Sequence, residues 1–279
     1  MQNMKIRESY VAGKFYPAKK NAIIDQLDSI NMLERNNILT EYSEKSIIGG
    51  VVPHAGYMFS AYQATHFFEI IKNSKEQFDT VFIVNPNHTG YEPEIALDEN
   101  DFWETPLGIV EIDQDFQEDL KLPKSANAHK YEHSGEVMLP FLQHYLNYQF
   151  KILPITISNQ NPENAKKLAG LIYESNKKFG KKILIIASSD FSHFVEPEYG
   201  KQIDSLVIDE ILKFNSEKVY QTIRKHNISI CGYGPIMTLI EYSKLLLENP
   251  KNKILKIGHS GEITPSTEVV DYVSILFYR

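Results

Sequence analysis

The stretch ILIIASSDFSH, residues 183–193, decides the fold of this chain. It begins with a run of branched and small apolar residues, which is typical of a strand buried on both faces. Asp190 and His193 follow directly after that run. In an open α/β sheet, the residues just beyond the carboxyl ends of the strands converge on one crevice. The segment therefore predicts a central strand with a candidate functional site at its end.

Three other apolar runs also end in a residue that can bind a metal. His54 follows one run in VVPHAGY, His88 follows another in VNPNH, and Cys231 ends the run in ISICGYGP. Imidazole and thiolate together suit a borderline or soft transition metal, so these three residues and His193 are candidates to meet around one ion. Each residue alone has a simpler interpretation, as a histidine at a strand end or as a buried core thiol. Their shared position after an apolar run favours the metal site.

Helical patterns separate most of these strands. The predicted strands cover residues 47–52, 80–84, 150–157, 183–187, 228–231, 254–257 and 273–277. The predicted helices cover 19–33, 60–71, 136–145, 161–179, 200–213, 217–225 and 235–247, and a hairpin-like excursion covers 95–110. Strands that alternate with helices of this length predict an α/β fold. We expect a three-layer helix-sheet-helix sandwich around a mixed, largely parallel central sheet.

Length and composition limit the class of protein. The 279 residues sit near the upper size of a single core, about 250–300 residues, so one domain over 1–279 is expected. The formal charge of −7 without a basic stripe argues against nucleic-acid binding. One cysteine excludes an internal disulfide framework and suits a reducing compartment. No apolar stretch approaches the ~20 residues that span a bilayer and no secretory signal is recognised, so we predict a cytoplasmic protein without a membrane partner.

Two pairs of polar residues are candidates for roles around the metal. Asp190 and His193 are three residues apart, which would place them on one side of a helical turn as base and orienting carboxylate. The alternative is a helix cap beside a solvated histidine. His133 and Glu136 similarly join an imidazole and a carboxylate at the start of a predicted helix, where capping is the simpler role.

Six motifs in order along the chain resemble the Memo family, also described as protein B of the AmmeMemoRadiSam system. They are R-x-x-x-V-A-G-x-F-Y-P (residues 7–17), P-H-A-G-Y (53–57), N-x-N-H (85–88), E-H-S-x-E (132–136), S-S-D-F-S-H (188–193) and C-G-x-x-P (231–235). The resemblance implies a fold like that of the class III extradiol ring-cleaving dioxygenases. It also implies a metal site at His54, His88 and Cys231, with Asp190 and His193 beside it.

The resemblance implies a metal-dependent oxidoreductase of unknown substrate that uses Fe(II) or Cu. Cys231 occupies the position that looks equivalent to the glutamate ligand of the dioxygenases. Thiolate donation favours copper, or stabilises a different state of iron, and so argues against a direct transfer of the ring-cleaving reaction to this chain. In this hypothesis His193 is the general acid/base, Asp190 orients it or joins the ion, and His133 and Glu136 support the ligands. One alternative is a non-catalytic scaffold that binds a peptide or a metal, and another is a zinc hydrolase. The expected partners are a small molecule or peptide, with a functional link to a radical-SAM protein.

Overall fold

A computed structural model of the chain describes residues 4–279 and contains two β-sheets. The strands are β1 Ile6–Arg7, β2 Ile47–Val52, β3 Thr80–Pro86, β4 Ile95–Leu97, β5 Phe102–Thr105, β6 Gly108–Glu111, β7 Lys151–Ile157, β8 Ile183–Ser188, β9 His193–Val195, β10 Lys251–His259 and β11 Val269–Tyr278. The helices are α1 Lys20–Glu34, α2 Tyr57–Lys72, α3 Gln114–Asp119, α4 Ala126–Lys130, α5 His133–Glu136, α6 Met138–Tyr145, α7 Pro162–Phe179, α8 Pro197–Leu212, α9 Ser216–His226 and α10 Tyr233–Leu246. Short 3-10 turns cover Thr40–Glu44 and Ser260–Glu262.

The larger sheet has eight strands, and its centre is parallel. β2, β8, β3 and β7 lie side by side in that order and run in one direction. β4 pairs antiparallel with β7, β11 pairs antiparallel with β2, and β10 and β9 pair antiparallel with β11. The smaller sheet has the order β1-β5-β6. The larger sheet is the mixed, largely parallel sheet that the sequence predicts, and the hairpin expected within 95–110 is formed by β5 and β6.

Helices cover both faces of the larger sheet. Adjacent glycines in β2 demonstrate this, because successive residues of a strand point to opposite faces. A Cβ atom on Gly49 would lie 3.0 Å from Leu239 in α10, whereas one on Gly50 would lie 2.4 Å from the Phe67 ring in α2. The two helices therefore pack closely on opposite faces, and the predicted α/β sandwich is confirmed.

The helix predicted over residues 161–179 illustrates why the sequence adopts these elements. Asn161 caps α7 by accepting a hydrogen bond from the backbone N–H of Asn164, and Pro162 fills the first turn. Gly180 ends the helix with φ of +63°, a conformation that glycine adopts without the cost of a Cβ contact. Leu168 and Ile172 form part of its buried face. Local signals here agree with packing, so the prediction is accurate at both ends.

The strand predicted over residues 228–231 is wrong. This apolar segment is irregular in the structure and leads into α10. The Cys231 N–H donates to the Asp190 carbonyl at 3.3 Å, a contact with a loop and not with a neighbouring strand. Apolar residues favour burial in a loop as well as in a strand, and the sequence does not reveal that this segment has no strand to pair with.

Among residues 4–279, no helix combines the length and the apolar character that crossing a bilayer requires.

Candidate metal centre

The candidate site lies at the carboxyl edge of three adjacent parallel strands. β2, β8 and β3 end at Val52, Ser188 and Pro86, and His54, Asp190 and His88 each lie two residues further on. Equal offsets from neighbouring strand ends bring the three side chains together, as expected for an open α/β sheet. The ring centroids of His54 and His88 are 5.5 Å apart. The two histidines predicted from the apolar runs are therefore neighbours.

A third imidazole completes a group that could hold a metal ion. One ligand atom from each of His54, His88 and His133 lies within 4.8 Å of the others. His133 begins α5, and its ring stacks on His88 with centroids 4.8 Å apart and planes 26° from parallel. The sequence predicts His133 as a residue that supports the ligands, whereas in the structure its ring lies beside those of His54 and His88.

Hydrogen bonds determine which nitrogen of His54 carries the lone pair. His54 is buried, and its Nδ1 lies 2.8 Å from Ser188 Oγ. The Ser188 hydroxyl donates its own proton to the Ser134 carbonyl at 2.8 Å, so it accepts from His54 Nδ1. Neutral His54 therefore carries its proton on Nδ1 and has a lone pair on Nε2, as a metal ligand requires.

A carboxylate determines which nitrogen of His88 carries the proton. Glu132 Oε1 accepts from His88 Nδ1 at 2.9 Å, and Oε2 accepts from the His88 backbone N–H at 2.6 Å. The Ser134 hydroxyl also donates to Oε1 at 2.6 Å. Burial raises the pKa of Glu132, but the hydrogen bond and charge of His88 outweigh it and lower the pKa to about 2. An ionised Glu132 fixes the proton on Nδ1, so His88 also has Nε2 free.

Glu132 has no role of its own among the sequence-based predictions. It appeared only as the first letter of the E-H-S-x-E motif, and its position before His133 is typical of a helix cap. It does cap α5, because its side chain accepts from the Ser134 N–H. Only the fold brings this cap against His88, which is 44 residues earlier in the chain.

Burial keeps two of the imidazoles neutral. Desolvation lowers the pKa of His54 well below its ordinary value, and the nearby His133 and His88 lower it further. Desolvation likewise lowers the pKa of His133 to about 4 despite the opposing charge of Glu132. Metal ligation requires neutral imidazole, so burial favours the form of these two rings that a metal ion would bind.

Cys231 lies on the His54 side of the site. Its Sγ is 3.2 Å from His54 Nε2 and accepts from the Asp190 N–H at 3.2 Å. Burial and the nearby Asp190 raise the pKa of the thiol well above its ordinary value, so the metal-free group is protonated. Within residues 4–279, the three-donor cluster includes His133 and not Cys231. A role for Cys231 as a metal ligand therefore stays a prediction.

Asp190 and His193 do not lie on a helical turn, so that prediction is wrong. Residues 189–192 form a loop, and His193 begins the short strand β9. Asp190 Oδ1 accepts from the His54 N–H at 2.7 Å, and burial raises the pKa of this carboxyl to about 6. His193 Nδ1 instead donates to the Ser229 carbonyl at 2.9 Å, since a carbonyl only accepts. Asp190 thus supports His54, and Ser229 orients His193 with Nε2 free.

Glu136 was predicted to support the metal ligands, but its hydrogen bonds go elsewhere. Its carboxylate is completely buried and pairs with the Arg7 guanidinium at 2.8 Å. It also accepts from the N–H groups of Tyr10 and Val11 and from the Tyr16 hydroxyl. The first motif of the chain, residues 7–17, is therefore anchored on α5 through Glu136.

Comparisons with known proteins identify the family of this chain. A family model described as Memo-like protein matches residues 7–276. A MEMO1 family protein of Methanosarcina mazei is 38% identical over 277 residues, which cover 98% of this chain and 99% of that protein. A MEMO1 family protein of Archaeoglobus fulgidus is 37% identical with the same coverage.

A solved structure is similar in fold. The crystal structure of the uncharacterized protein JW3007 from Escherichia coli K12 aligns with a TM-score of 0.50 at 13% identity, covering 76% of this chain and 91% of that one. At this identity the likeness concerns the fold alone. The family assignment depends on the sequence matches, which extend over nearly the whole chain. The chain belongs to the Memo family.

Proposed function

We propose that this protein binds one first-row transition metal ion, Fe(II) or Cu, and acts as a metal-dependent oxidoreductase. His54 and His88 form the middle of the ligand set, Cys231 adds a donor beside His54, and His133 adds one beside His88. One observation carries the proposal: two neighbouring imidazoles have their Nδ1–H groups fixed by Ser188 and Glu132, so each has its lone pair on Nε2, and the Cys231 sulfur also approaches the Nε2 atom of His54.

The donor set fits the proposed ion. Imidazole suits iron, copper and zinc, and a thiolate at Cys231 favours the softer copper. The histidine–carboxylate bond between His88 and Glu132 is the common support for a metal-binding histidine. Binding at Cys231 requires loss of the thiol proton, because the thiolate is the ligand form.

The protein's own residues would supply binding and proton transfer. A bound iron or copper ion would supply one-electron exchange with O₂ or a substrate. His193 is partly exposed, and in this proposal its Nε2, which makes no bond to Ser229, is the atom that transfers the proton. Asp190 holds the backbone of His54 in place. The substrate remains a small molecule or a peptide in this proposal.

A zinc hydrolase is the second candidate, and the cluster of three imidazoles favours it. Three histidines and a water form a common catalytic zinc site. The two candidates differ in their need for oxygen, because a zinc hydrolase cleaves esters or amides without it. A non-catalytic scaffold would bind the metal or a peptide and turn nothing over.

Redox turnover of the loaded protein tests the proposal. Wild-type protein loaded anaerobically with Fe(II) or Cu should consume O₂ when it is returned to air with a reductant, and His54→Ala should not. His226→Ala is the matched control, because His226 ends α9 outside the candidate site and its loss should change nothing. If the loaded wild type and His54→Ala consume O₂ equally, the oxidoreductase proposal fails. If only ester or amide cleavage depends on His54, the zinc hydrolase is correct.

A further inference from the structure

The first segment of the chain touches the candidate metal centre directly. We call residues 7–17 the N-terminal arm. The Phe15 ring in this arm lies 4.6 Å from the His133 ring, with their planes 36° apart. His133 in turn stacks on His88 at 4.8 Å. Phe15, His133 and His88 thus form a continuous row of three packed rings that ends in a predicted ligand.

His133 differs from the other two imidazoles in how it is held. His54 is fixed by Ser188 and His88 by Glu132, each through a hydrogen bond to Nδ1. The nearest acidic atom to the His133 ring is Glu132 Oε1, at 3.5 Å from Nδ1. No hydrogen bond to this ring is made within the described range 4–279. Its orientation therefore depends on ring packing, and Phe15 is the ring outside the imidazole cluster that packs on it.

The arm holds Phe15 in a fixed place. The Phe15 carbonyl accepts from the N–H of Tyr57 at 2.7 Å, and Tyr57 begins α2, three residues after His54. The Phe15 N–H donates to the Val11 carbonyl at 2.9 Å. The backbone on both sides of the Phe15 ring is thus bonded, one side to the element that follows His54.

Glu136 connects the arm to the helix that carries His133. Its buried carboxylate accepts from the Tyr16 hydroxyl at 2.7 Å and from the Val11 N–H at 2.9 Å, and it pairs with Arg7 at 2.8 Å. Since α5 covers only His133–Glu136, the anchor of the arm and the imidazole belong to one helical turn. Glu136 therefore holds the arm and His133 in fixed positions relative to each other.

We propose that Phe15 is a positioning residue that sets the orientation of the His133 imidazole in the metal centre, with Glu136 holding the arm in place. This inference rests on the proposed function, because it requires that the centre bind a metal. The interaction is the tilted packing of a phenyl ring against an imidazole, which restricts rotation of the imidazole without supplying or removing a proton.

Titration with Co²⁺ tests the inference, because its d–d absorption reports the geometry of the bound ion. Phe15→Leu keeps an apolar side chain of similar size but removes the stacked ring, and Phe15→Tyr keeps the ring. We expect Phe15→Leu to weaken Co²⁺ binding on the order of tenfold and to change the d–d spectrum, as loss of a ligand-supporting residue does. Phe15→Tyr should keep both the affinity and the spectrum of the wild type.

Three controls separate this inference from folding and from the proposed function. Thermal melting of the metal-free proteins should show that Phe15→Leu is folded. Met58→Leu, a change at an exposed residue next to the same arm, should bind Co²⁺ like the wild type. If Phe15→Leu keeps the wild-type affinity and spectrum, the inference is wrong while the metal site stands. If the wild type itself binds no Co²⁺, the proposed function fails and the inference fails with it.

Discussion

Replacement of Glu132 by glutamine changes one atom of the buried carboxylate and removes its charge. In the wild type this carboxylate accepts hydrogen bonds from the His88 imidazole, the His88 backbone and Ser134. In Glu132→Gln one of the two oxygens becomes an NH₂ group, which cannot accept from any of these donors. His88 then loses the acceptor that fixes its Nδ1 proton, or a backbone donor is left without a partner.

The size of the effect follows from the role of such carboxylates. Loss of the acceptor behind a metal-binding histidine costs about 10–100-fold in metal affinity, which equals roughly 1.4–2.7 kcal/mol. We expect Glu132→Gln to weaken binding of Zn²⁺ or Co²⁺ within this range, measured by isothermal titration calorimetry. Glu217→Gln is the matched control, because Glu217 forms an ion pair with Lys166 on the surface and should leave the affinity unchanged. An affinity of Glu132→Gln equal to that of the wild type would refute the assigned role of Glu132.

Three further predictions concern stability and the ligand set. Asp271 has a pKa raised to about 8 by burial and by the neighbouring Asp204, so the folded protein holds a proton that the unfolded chain, with a pKa of about 3.9, releases. The free energy of unfolding should therefore fall as the pH rises from about 4 to 8, by at most ~1.4 kcal/mol per pH unit. Urea unfolding of Asp271→Asn should show a weaker pH dependence than the wild type. An equal pH dependence of the two proteins would contradict the raised pKa of Asp271. Gly50→Ala should lower the free energy of unfolding by about 1–3 kcal/mol, because the added Cβ would overlap the Phe67 ring of α2. Gly170→Ala, at an open position of α7, should raise it by up to ~1 kcal/mol. Equal effects of the two substitutions would contradict the packing described for β2. Cys231→Ser should remove the sulfur-to-metal charge-transfer absorption of the copper-loaded protein while one ion still binds, and an unchanged spectrum would exclude the thiolate from the ligand set.

Part of the site could be predicted from the sequence because it depends on strand ends. His54 and His88 follow buried apolar runs, and parallel strands place such residues at one edge of the sheet. That prediction used only the common direction of the strands, and it did not require that β2, β8 and β3 lie side by side. The fold class followed from the same pattern of alternating strands and helices.

The remaining part of the site depends on contacts that no local pattern encodes. His133 and Glu132 belong to a short helical turn 44 residues beyond His88, and its docking beside β3 appears only in the fold. The Cys231 segment has the apolar character of a strand, yet it packs as a loop against Asp190. Spacing of three residues suggested a helical turn for Asp190 and His193, but the chain there is a loop that enters β9. The reaction, the partners and the location in the cell stay predictions.

Elemental analysis of the protein purified without added metal tests the central claim most directly. The wild type should carry close to one equivalent of iron or copper per chain, and the double variant His54→Ala, His88→Ala should carry almost none. Circular dichroism should show that both proteins are folded. A wild type free of transition metal that also fails to take up iron, copper or zinc on titration, or a double variant that retains the full equivalent, would contradict a metal centre at the carboxyl edge of β2, β8 and β3.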